Sequence, residues 1–180
     1  MTRAALLVVL LATTFGAAQA PRVNRVALAA MERTFDRRIQ RFDLNDPMDL
    51  LGSTRGVYLA GYGAVFTAEV NLVASAVVTP FRPAPSKEEA EKLRQKKAER
   101  LAQLEKNMRE MMLNLAASLE GLPPEEHIAL GVSVFYFSWE NREGLPSQVL
   151  MRARRQALLD AQARRADAAA LEALIPAEVF

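Results

Sequence analysis

The chain has 180 residues, with 51% hydrophobic and 24% charged side chains, an ordinary globular balance for one domain. A net charge of +2 is too small to predict nucleic-acid binding, although the pI lies near 9.1. With no cysteine and one histidine, His127, the chain excludes disulfides, thiolate metal sites, a cysteine nucleophile and a multi-histidine metal centre. No cofactor or metal site is expected.

Residues 1–20, MTRAALLVVLLATTFGAAQA, read as a signal peptide. Arg3 supplies the positive start, Ala4 to Ala12 the apolar core, and GAAQA the small residues for cleavage after Ala18 or Ala20. Pro21 would hinder cleavage after Ala20, which favours Ala18. The apolar run is short for a membrane span of about twenty residues. An exported protein, periplasmic or secreted, is the expectation, with residues 21–180 forming one α+β domain.

Residues 24–42 carry helical spacing at Val26, Ala30, Met31, Phe35 and Ile39, with Asn24 as N-cap. Pro47 and Gly52 then break the pattern. The stretch RGVYLAGYGAVFTAEVNLV, residues 55–73, is rich in strand formers but too long for one strand. Gly61-Tyr62-Gly63 therefore reads as a turn or bulge, with Gly61-Tyr62 at the centre of a type II′ turn. Thr67, Glu69 and Asn71 share one face of the following strand.

Residues 77–86, VVTPFRPAPS, read as a proline-spaced extended linker. Ser86 and Glu89 form a capping box that opens a long helix over about 86–120, closed by Gly121 and Pro123-Pro124. Its second half has an apolar stripe at Leu101, Leu104, Met108, Met111, Met112, Leu115 and Leu119. Its charged first half, 86–100, reads as a solvated projection. Residues 127–137 form a third strand, apolar on both faces, which suits a central strand or an edge used for association. Pro146-Ser147 open a last helix that ends at Pro176. The expected fold is α+β: a small antiparallel sheet of about three strands, with helices packed on one face.

Candidate contact residues are Tyr62 in the bend, Glu69 as a carboxylate within an apolar strand, and the aromatics Phe135, Phe137 and Trp139. Arg152, Arg154, Arg155, Arg164 and Arg165, with Lys87, Lys92, Arg94, Lys96 and Lys97, could give weak contact with anionic lipid headgroups. His127 and Ser133 lie too far apart along an extended strand to form a dyad, about 20 Å. No catalytic residue is assigned. The leading expectation is a non-catalytic interaction or structural protein of the bacterial envelope, with a protein partner or self-association and no nucleic acid. A small-ligand module using the Gly61-Tyr62-Gly63 bend and the third-strand aromatics is the alternative. A hydrolase using Glu69 and Glu140 is a third reading.

Overall fold

The computed structural model describes residues 23–43, 46–74 and 85–180. The signal peptide of 1–20 and nearly all of the 77–86 linker lie outside the described residues. The described chain is α+β, with four helices and one mixed sheet of six strands. The elements are α1 (Arg25–Gln40), β1 (Asp49–Leu50), β2 (Arg55–Leu59), β3 (Gly63–Asn71), α2 (Lys87–Ser118), β4 (His127–Val134), β5 (Gln148–Arg154), α3 (Arg155–Ala163), α4 (Ala168–Leu174) and β6 (Glu178–Val179). Among the described residues no helix is long and apolar enough to cross a membrane.

The sheet is larger than the expected three strands and is not purely antiparallel. β1 and β2 lie end to end along one edge of β3, both antiparallel to it. β3 pairs with β4 in parallel, from Gly63 opposite His127 to Val70 opposite Val134. A parallel pair needs a long crossover, and α2 supplies it. β5 and then β6 extend the sheet antiparallel on the far side.

β5 and the helices after it replace the single last helix expected over 147–176. Val149, Met151 and Ala153 are buried, while Gln148, Arg152 and Arg154 are exposed, a period of two rather than 3.6. Gln, Leu, Met and Arg are all good helix formers, and Val149, Leu150 and Ala153 also suit a helical stripe. Pairing with β4 overrides that local preference.

α2 keeps the expected capping box. Glu89 N donates to Ser86 Oγ (3.2 Å), and Ser86 N donates to Glu89 Oε2 (2.8 Å). At 32 residues the helix is about 48 Å long. Leu104, Met108, Met111, Met112, Leu115 and Leu119 are buried against the sheet, as the stripe predicts. The first half is held to the body towards its end, while residues 87–89 stay exposed. Lys97 and Arg100 are buried, and Lys96 and Arg100 both hold Asp46. Acidic loop residues at 43, 46 and 140 give these cations partners within the body of the protein, so they need no solvent.

α1, α2 and α3 cover one face of the sheet. Phe66, Val70, Ile128, Leu130, Val132, Val149 and Met151 point into that layer, where Phe35, Ile39 and Leu158 meet them. Val26, assigned to the α1 stripe from spacing, is exposed instead, and Leu28 takes a buried place in that first turn.

Candidate functional site

The helices leave the other sheet face uncovered among the described residues. Alternation puts Arg55, Val57 and Leu59 of β2, Val65, Thr67 and Glu69 of β3, Ala129, Gly131 and Ser133 of β4, and Leu150, Arg152 and Arg154 of β5 on that face. β4, the middle strand, presents His127 at its start and beyond it nothing larger than a serine on that face, which leaves a shallow trough past the histidine. The β1/β2 side of the trough is apolar: Leu51 is 38%, Val57 49% and Leu59 47% exposed. Both signs of charge surround it. Glu69 is exposed near one end, and Arg152 holds Glu178 (3.1 Å) at the other side.

The β2 edge of the sheet is guarded. Glu32 of α1 accepts the outward N–H of Gly56 (2.7 Å), and Arg25 donates to its carbonyl (3.2 Å). The two side chains also form a double hydrogen bond, Nη1 to Oε1 at 2.5 Å and Nη2 to Oε2 at 2.8 Å. Asp36 accepts the N–H of Thr54 (2.9 Å). These side chains occupy the positions a further strand would take. The Arg25 hydrogen bond, with help from the Gly56 N–H, holds the Glu32 carboxyl below its ordinary range. On the opposite side the short β6 is the outer strand, paired with β5 at Val149 and Leu150.

The expected bend is present with a different centre. Tyr62 N donates to Leu59 O (3.0 Å), so Ala60 and Gly61 occupy the middle of the turn, not Gly61 and Tyr62. Gly61 takes φ 80°, a conformation that favours glycine. Gly63 takes φ 137°, and a Cβ there would sit 1.9 Å from the His127 carbonyl oxygen. The glycine thus lets the first residues of the parallel pair meet. Tyr62 is half-buried and stacks on the His127 ring, with centroids 5.4 Å apart, rather than standing free in solvent. Glu126 fixes the bend from below. Its Oε1 accepts both Tyr58 OH and Gly61 N at 3.1 Å, while Oε2 is buried without a partner. Burial, and then this bond, push the Tyr58 hydroxyl above its ordinary pKa.

Phe135, Phe137 and Trp139 come together as a ladder after β4. Phe135 meets Phe137 edge to face at 4.9 Å, and Phe137 stacks on Trp139 at 5.8 Å. The indole Nε1 of Trp139 is buried without a partner. Because β3 and β4 are parallel, this ladder and Tyr62 stand at opposite ends of the sheet, about 25 Å apart. No single small pocket takes both.

The carboxylates are also separated. Glu69 faces outward from the open sheet face. Glu140 turns inward to Lys97 of α2, with Nζ to Oε2 at 2.5 Å and side chains 1% and 2% exposed. Lys97 also donates to Phe135 O (3.3 Å) and lies over the Tyr136 ring, 4.8 Å from its centroid. Burial lowers the Lys97 pKa against the pull of Glu140. Burial, reinforced by the Glu140 charge, pushes the Tyr136 hydroxyl up to about 12. Together with Tyr136 OH donating to Pro146 O (2.8 Å), these bonds pin the loop between β4 and β5. An acid closed off by a lysine is a structural tie, and Glu69 has no second carboxylate beside it from Glu140. Sequence inspection missed this pair because Lys97 sits in a lysine-rich, outwardly polar half-helix. Among the described residues no group of three or more His, Asp or Glu is arranged to hold a metal.

No protein-family model matches the chain, and neither a curated protein nor a solved structure matches it significantly. The functional reading therefore rests on the molecule itself.

Proposed function

We propose that this chain is an exported, non-catalytic interaction protein of the bacterial envelope, and that it pairs with a second copy of itself through the open sheet face. Export rests on the leader-like composition of residues 1–20. The pairing rests above all on Leu51, Val57 and Leu59, three large apolar side chains left exposed along one face. Exposed apolar patches rimmed by polar residues are common sites of association. The guarded β2 edge turns association on this side away from strand addition and toward face-to-face packing, where the small residues Ala129, Gly131 and Ser133 of β4 permit close approach. A two-fold interface must be self-complementary, and this face carries both arginines and glutamates. Burying the exposed parts of Val57 and Leu59 stabilises such a dimer by about 1 kcal/mol each.

The test is light scattering of the purified protein across a micromolar concentration series. A dimer is expected, and Val57→Lys with Leu59→Lys should yield a monomer with an unchanged circular dichroism spectrum. A wild-type monomer at every concentration, or a dimer that ignores both substitutions, would overturn the proposal.

A further inference from the structure

A second surface, independent of the open sheet face, is rich in arginine. The C-terminal half of α1 and the middle of α2 border a shallow, open cleft lined by Thr34, Arg37, Arg38, Arg41, Phe42 and Asn107. The charges of α1 are sorted by side. Glu32 and Asp36 reach the sheet edge, while Arg37, Arg38 and Arg41 face the cleft. From α2, Glu110 pairs with Arg38. Asp43, just beyond the cleft, contacts Arg100 (3.3 Å). Arg37 and Arg41 form no ion pair among the described residues; Arg37 Nε donates only to the Arg33 carbonyl (3.2 Å). Basic residues in a last helical turn complement the helix dipole. Here, in addition, two guanidiniums four positions apart and without an ion-pair partner among the described residues flank the open cleft, with Phe42 and Asn107 beside them.

We propose that this cleft binds a phosphomonoester group. Arg37 and Arg41, at i and i+4, are neighbours on the helix surface and can grip one tetrahedral anion from two sides. A guanidinium fork donates two parallel hydrogen bonds to phosphate oxygens. A phosphate dianion matches these two guanidinium charges, which a single carboxylate does not. A soluble metabolite and a lipid head both present this group, and the protein-side chemistry is the same.

The test has two arms. Inorganic phosphate is titrated calorimetrically into the full protein at low salt, and flotation is measured with phosphatidylcholine vesicles with and without phosphatidic acid. Wild-type protein is expected to bind in at least one arm, and the responding arm names the source. Arg37→Gln with Arg41→Gln should weaken that binding by about tenfold or more, while Arg164→Gln, at the end of α3, should leave it unchanged. Absence of binding in both arms, equal binding by the double variant, or an equal loss with Arg164→Gln would overturn the proposal.

Discussion

Lys97 of α2 and Glu140 of the β4–β5 loop form a buried ion pair that ties the loop to the helix. Such a pair adds little net stability, because each charge loses its water, but breaking it strands the other charge. Glu140→Gln is therefore expected to destabilise the protein by about 3 kcal/mol, through an uncompensated lysine. Lys97→Met together with Glu140→Gln should recover most of that loss, since the Met stem fills the same channel without charge. Urea unfolding of wild type, both single variants and the double variant measures the coupling directly. A double variant as damaged as the sum of the singles would show that the two residues act separately.

α1 is more than a layer on the sheet, because its acids serve the edge of β2. Glu32 has its folded pKa depressed below 4.5, so its contribution is fully present above that value. The contribution is lost as pH falls through the depressed value, when the carboxyl protonates and releases Arg25. Thermal melts from pH 6 to pH 2 should show a stability loss beginning near 4.5 and continuing below it. Glu32→Gln should flatten that part of the profile, at the cost of lower stability at pH 6. An acid limb unchanged by the substitution would mean that other carboxylates govern it.

Elements of this kind were unequally legible. α1, the hairpin and the α2 stripe follow from periodicity and capping, and each stands where spacing puts it, to within a few residues. β5 did not, because QVLMRAR satisfies both periods and only its neighbour β4 decides between them. The parallel pairing of β3 with β4 was hidden for a related reason: local pattern does not say which strand lies beside which. Of the candidate contact residues, the mutual stacking of Phe135, Phe137 and Trp139 follows their alternation. The exposure of Glu69 was open from alternation alone, since it depends on whether a second layer covers the sheet.

At the scale of the whole molecule, stability is unevenly distributed. β3 and β4 have partners on both sides and side chains of the helical layer above them. α4 has no buried residue and touches the body near Arg109, whose Nε donates to Ile175 O (3.1 Å). Native-state hydrogen exchange should find the slowest amides in Ala64–Val70 and Ile128–Val134, opening only with global unfolding. The amides of α4 should exchange through local fraying at a far smaller free energy. Uniform protection across both regions would contradict this ranking.

The parallel register has a consequence in time. Gly63 meets His127 about sixty positions along the chain, so the centre of the sheet depends on contacts of high sequence separation. Loop-closure entropy must be overcome before those hydrogen bonds can form. The hairpin of β2 and β3 and the α2 helix are local and can assemble in microseconds. Zipping β3 to β4 then sets the pace. Until it does, the strand destined for the middle of the sheet is an edge, and it lacks the guards that protect the finished β2 edge.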